Sequence, residues 1–212
     1  NKDYYLKKNI NIMNNYKNET LSIHWLKFLN DKFKINSISD TLFNIVVKAI
    51  NSSKTFYLKN KSLTVNDIKK EIIKNIIYLT TNKKNTNSLQ EKIYNKYKES
   101  CSKNLLDKVK DFEYLLIYIN DLNYGGCLID IKYISKFYGI NIIILDKRIR
   151  KNDIGYILYL SNNSKYYMLI YRSIILNEYL YNLIGIKNNF IFHENNLPPK
   201  FINEIINVNN IK

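Results

Sequence analysis

The chain has 212 residues, enough for one domain with at most a short arm, and 46% of them are hydrophobic, which excludes wholesale disorder. Lys and Arg number 33 against 18 acids, a net charge of +15 whose field attracts nucleic acid or an anionic membrane. Arginine is confined to Arg148, Arg150 and Arg172, and the lysines are scattered in pairs such as Lys7-Lys8, Lys69-Lys70 and Lys83-Lys84. That distribution argues against a concentrated bidentate phosphate site and leaves only non-specific nucleic-acid affinity as the expectation.

Asn, Lys, Ile and Tyr dominate the sequence, with only 5 Gly and 2 Pro, the pattern of codons drawn from a very AT-rich genome such as those of some large DNA viruses and parasites. The 2 cysteines, Cys101 and Cys127, suggest neither a disulfide framework nor a zinc site. His24 and His193 stand far apart and no CxxC occurs, so no metal and no cofactor are expected. No apolar run reaches the roughly 18 residues that span a bilayer, and no signal-peptide pattern opens the chain. No membrane association is expected, and an intracellular setting, host cytoplasm or virion if the source is viral, is the default. The first residue is Asn1 rather than Met, which suggests a segment of a longer protein.

Residues 1–20 read as a polar arm. Leu21, Trp25, Phe28, Leu29 and Phe33 recur at helical spacing and predict an amphipathic core helix. Asn36 to Asp40 reads as a turn, with Ser39 or Asp40 capping a helix through Leu42, Phe43, Val46, Val47 and Ile50. Asn51 to Asn60 reads as a loop. Thr64 and Asp67 make a capping-box pair opening a helix through Ile68, Ile72, Ile73 and Ile76. Lys83 to Ser88 reads as a polar linker, followed by a helical region from Leu89 to Asn120. A helix from Ile129 to Tyr138 ends at Gly139.

The character then changes. Ile140–Leu145, Tyr156–Leu160, Tyr166–Tyr171, Leu180–Ile184 and Phe190–Phe192 are short apolar runs rich in β-branched and aromatic residues, and predict strands. Asn162-Asn163 and Asn188-Asn189 supply hairpin turns between them, and Leu197-Pro198-Pro199 introduces a last helix, Lys200 to Ile206. The expected class is α+β, with helices packed around a small mixed sheet formed mainly by the C-terminal half.

Several separated elements occur in a telling order. Ser39-Asp40-Thr41-Leu42-Phe43 opens a helix; Thr64-Val65-Asn66-Asp67-Ile68-Lys69 opens the next; Phe112-Glu113-Tyr114-Leu115, Tyr124-Gly125-Gly126 and Tyr133-Ile134-Ser135 follow. Together they resemble the ovarian-tumour (OTU) family of papain-like deubiquitinases over about residues 21 to 206, between a 1–20 arm and a 207–212 tail. The resemblance places Thr41 where the family has its nucleophilic cysteine, and Asp40 in the oxyanion loop. The family's late His-Tyr-Asp/Asn element matches Leu180-Tyr181-Asn182, or alternatively Tyr166-Tyr167-Met168. Under either match the general-base histidine is absent, and under the first only Asn182 survives, as the residue that orients the imidazole.

An internal threonine lacks the amine that activates N-terminal threonine nucleophiles, and its alkoxide forms far less readily than a thiolate. The resemblance therefore implies an inactive domain that binds ubiquitin, a ubiquitin-like protein or other subunits of a larger assembly, with Tyr124, Gly125 and Gly126 as the binding turn. Two other readings stay open: an active thiol isopeptidase using Cys101 or Cys127, and a basic accessory domain for nucleic acid.

Overall fold

The computed structural model describes residues 20–35, 40–53, 62–81, 86–101, 109–147, 155–175 and 178–206. The expected arm but for its last residue, the tail, Ser39, most of the 51–60 loop, Lys83 to Asn85, Arg148 and Arg150 lie outside these residues. The helices are α1 (Ile23–Leu26), α2 (Leu42–Ser52), α3 (Val65–Thr81), α4 (Thr86–Ser100), α5 (Phe112–Asn120), α6 (Leu128–Tyr138) and α7 (Pro199–Phe201), which continues as a π-helical turn, Ile202–Ile206. The strands are β1 (Lys34–Ile35), β2 (Asn141–Asp146), β3 (Tyr156–Tyr159), β4 (Tyr166–Ile175), β5 (Glu178–Gly185) and β6 (Ile191–His193).

The sheet runs β1-β5-β4-β2-β3, with β6 also on β4. Only β2 and β4 are parallel; the remaining pairs are antiparallel. The fold is α+β with a mixed sheet drawn almost entirely from the C-terminal half, as expected. Strand alternation divides the core into two layers. Ile142, Ile144, Met168, Ile170, Tyr181 and Leu183 face the helices α2 to α6. Ile143, Leu145, Leu169, Tyr171 and Ile184 face Trp25, Phe33, Phe192 and Phe201 from the two ends of the chain.

Local chemistry explains the boundaries. Thr64 and Asp67 form the capping box at the start of α3: the Asp67 amide donates to Thr64 Oγ1 at 3.2 Å and the Thr64 amide to Asp67 Oδ2 at 3.0 Å. Gly139 closes α6 at φ 63°, a left-handed position that suits glycine.

Three expectations need correction. The apolar spacing from Leu21 to Phe33 selects the right core residues, but the helix is only Ile23–Leu26. The Trp25 indole donates to the Asp146 carbonyl at 2.7 Å, and the chain bends away instead of continuing. The polar stretch ending at Ser88 is not all linker, since α4 begins at Thr86.

The Asn-rich turns are also not hairpins. Asn162-Asn163 joins β3 to β4, yet β2 lies between those strands. Asn188-Asn189 joins β5 to β6, and both pair with β4, β6 along Tyr166–Met168 and β5 along Leu169–Ile175. The strands are thus collinear. The backbones of Ile186 and Asn189 close on each other, with Lys187 at φ 56°, so the turn acts as an outward fold in one long edge.

Candidate functional site

The N-terminus of α2 meets the edge of β5. The Asp40 amide donates to the Tyr181 carbonyl at 3.0 Å, and the Tyr181 amide donates back at 3.4 Å. That antiparallel bridge fixes the residue before Thr41 against Tyr181. The turn before α6 closes the other side: the Phe43 amide donates to the Gly125 carbonyl at 3.0 Å, and Gly125 lies against the Thr41 side chain. The structure thus brings together Asp40, Thr41, Leu180, Tyr181 and Gly125, from segments far apart in sequence.

Thr41 is the N-cap residue of α2, but its side chain makes no capping bond. Asp40 does that work from one position earlier. Its Oδ1 accepts from the Thr41 amide at 2.7 Å and from Asn44 Nδ2 at 2.8 Å. Two of the amides at this helix end are therefore engaged, that of Thr41 by a carboxylate and that of Phe43 by a carbonyl. A helix N-terminus binds an oxyanion only through amides left free for it.

Alternation along β5 turns Leu180 and Asn182 toward the layer of Ile184, and Tyr181 toward the α2 layer. Asn182 is 1% exposed and pairs across the sheet with Tyr171; Leu180 is half-buried and pairs with Ser173. Burial raises the Tyr181 hydroxyl to about 12, although the Arg172 guanidinium pulls the other way. Arg172 itself is held by Asp146 through two hydrogen bonds and stacks 4.6 Å over the Tyr179 ring.

The alternative segment Tyr166-Tyr167-Met168 lies at the opposite end of β4, beside His193. His193 pairs with Tyr166 there, and the distance along β4 from Tyr166 to Ser173 is about 23 Å at about 3.3 Å per residue. Its Nδ1 accepts from the Asn195 amide at 3.3 Å, and the imidazole borders an open cleft of about 600 Å³ beside Ser53 and Asn189. His24 packs on Trp25 and Phe28.

Tyr124, Gly125 and Gly126 form a turn that is tied down on both sides. Gly126 has φ 91°, and its missing β-carbon makes room for the Phe43 ring. Tyr124 stacks edge-on against Phe43 at 5.6 Å and Tyr118 at 5.2 Å. Its hydroxyl donates to Asp130, a fully buried carboxylate that also accepts from Tyr97 at 2.6 Å and from the Cys127 amide at 2.8 Å. Burial raises Asp130 to about 6, with the two tyrosine hydroxyls opposing the shift. Burial also pushes the Tyr97 and Tyr124 hydroxyls well above their usual range, which keeps them donors. Lys69, 3% exposed, donates to the Asp121 carbonyl; burial lowers its ammonium, against the pull of Asp121 and Asp130.

Sequence reasoning missed this network, because a single Asp in an Ile-rich helix start reads as a cap. It also missed the cysteines. Cys101 and Cys127 are joined, with 5.6 Å between their α-carbons and 26 positions between them in sequence. Their spacing says nothing of this: the end of α4 and the start of α6 meet only in the fold. Among the described residues no cluster of His, Cys, Asp and Glu is arranged for a metal, and no helix is long and apolar enough to cross a membrane.

No protein-family model matches the sequence, and no curated protein matches it. A solved structure of an ovarian-tumour (OTU) domain in complex with ubiquitin is similar at 13% identity and TM-score 0.47, over 82% of this chain and 83% of that one.

Proposed function

We propose that this chain is a catalytically silent OTU-like domain that works by binding, holding ubiquitin or a ubiquitin-like protein on the face around Thr41, Leu122 and the Gly125-Gly126 turn. The observation that carries the silence is the Asp40 carboxylate on the Thr41 amide, at 2.7 Å. It sets a negative charge where acyl transfer would need to stabilise one. The residue matched to the family's general base is Leu180, which has no proton to take or give. Binding needs only the shape of this face, and the turn that shapes it is locked by Phe43, Tyr124 and Asp130.

Titration of the isotope-labelled chain with ubiquitin tests the reading. The expected result is a saturable complex whose shifts centre on residues 41 and 122–126. Leu122→Asp, at a position 97% exposed, weakens it about tenfold without loss of fold. Absence of any shift at saturating ubiquitin contradicts the assignment. The net charge of +15 supports a second reading, salt-sensitive association with nucleic acid. Steep loss of that binding between low and physiological salt is its signature.

A further inference from the structure

We propose that Cys101 and Cys127 form a reversible thiol–disulfide latch that fixes the Gly125-Gly126 turn to the end of α4. The chain holds only 2 cysteines among 212 residues, and the fold brings both to one point. Neither end of the bridge is remote from the turn. Cys127 is the N-cap of α6 and follows Gly126 directly; Cys101 follows the last residue of α4.

The two sulfurs have different surroundings, which assigns them different roles. Cys101 is partly exposed; Cys127 is buried. Cys127 sits at the start of an 11-residue helix, with the Tyr124 hydroxyl 3.4 Å from its sulfur. The helix end favours a thiolate there; burial and the neighbouring Asp130 oppose one, and the Tyr124 hydroxyl, its proton given to Asp130, does not stabilise it. Closure against a low-molecular-weight disulfide such as oxidised glutathione runs in two exchanges. The Cys101 thiolate attacks one glutathione sulfur, breaking that S–S bond and releasing one glutathione thiolate. The Cys127 thiolate then attacks Cys101 in the mixed disulfide and expels the second. The two protons lost by the protein thiols end on the two glutathione thiolates released, so two electrons pass from protein to glutathione.

Opening the latch leaves the turn with its non-covalent ties: the Phe43 amide on the Gly125 carbonyl, the Tyr124 ring on Phe43, and the Tyr124 hydroxyl and Cys127 amide on Asp130. It removes the only covalent link between α4 and α6 among the described residues. The redox state therefore sets how firmly Gly125 is held against Thr41. The latch works whatever binds this face, and redox titration of the chain alone reads it out.

The full chain is equilibrated in glutathione buffers of graded ratio, quenched by alkylation and weighed, and the end states are compared by amide hydrogen exchange. The expected result is a two-electron transition, reversed by excess reduced glutathione while the chain stays folded. Exchange of amides 124–130 should be about tenfold slower in the oxidised form. Cys101→Ser, at the partly exposed position, should show the fast exchange of the reduced wild type under both conditions. Three results would each overturn the proposal: both cysteines stay alkylatable in fully oxidised buffer, the bridge resists reduction unless the chain unfolds, or exchange at 124–130 ignores its state.

Discussion

Thr41 and Gly125 approach so closely that a β-carbon on Gly125 would lie 2.7 Å from both Thr41 Cβ and Cγ2. Real β-carbons do not tolerate such a contact, so the glycine is required by its neighbour rather than by its own backbone angle. Gly125→Ala should therefore destabilise the fold by about 1–3 kcal/mol, as overpacking does. Thr41→Gly removes the opposing methyl and β-carbon, and glycine is acceptable at an N-cap. The double variant should recover much of the loss in chemical denaturation; additive losses would mean that the two residues do not meet.

Asp130 should leave a mark on the pH dependence of stability. Its folded value is about 6 against an ordinary 3.8, so between those values the folded state binds more protons than the unfolded one. The contribution is fully present below about pH 4 and lost as pH rises through 6, a difference of roughly 3 kcal/mol at most. Asp130→Asn should flatten this part of the profile. Thermal melts of both proteins from pH 4 to 7 test it, and parallel profiles would show that Asp130 is charged throughout.

The fold and the site were legible to different degrees. Thr64 with Asp67, and Gly139 after Tyr138, announce helix ends through chemistry carried by one or two adjacent residues. The five β-rich runs declare themselves by composition, so the α+β class follows. Strand partners do not, because Asn188-Asn189 has the chemistry of a hairpin turn while Ile191 rejoins β4 beside β5. The convergence of Thr41, Tyr181 and Gly125 was visible only through order along the chain. The Asp130 network and the Cys101–Cys127 bridge were not visible at all, since each depends on where α4 and α6 come to rest.

Arg172 is 9% exposed and relies on Asp146. Asp146→Ala should cost about 2 kcal/mol, less than a sealed pair because the Asp146 side chain keeps some solvent. The Asp146 carbonyl that holds Trp25 is untouched by this change. Adding Arg172→Met should return part of the loss, because it removes the stranded charge; a further loss of stability would mean that the guanidinium is held mainly by the Tyr179 ring.

Ser173 sits across from Leu180 with a buried hydroxyl that has no hydrogen-bond partner among the described residues. Ser173→Ala deletes that unsatisfied group and should leave stability unchanged or raise it by about 1 kcal/mol. A clear loss in a denaturant melt would reveal a partner for the hydroxyl.

We propose that the α2 N-terminus keeps its place in the fold without performing acyl chemistry. The most direct test is intact-mass spectrometry of the chain after incubation with a ubiquitin probe bearing a C-terminal propargylamide. Reducing buffer keeps Cys101 and Cys127 free to react. A silent site leaves the protein unmodified at every time point; a covalent ubiquitin adduct on Cys101, Cys127 or Thr41 would overturn the proposal.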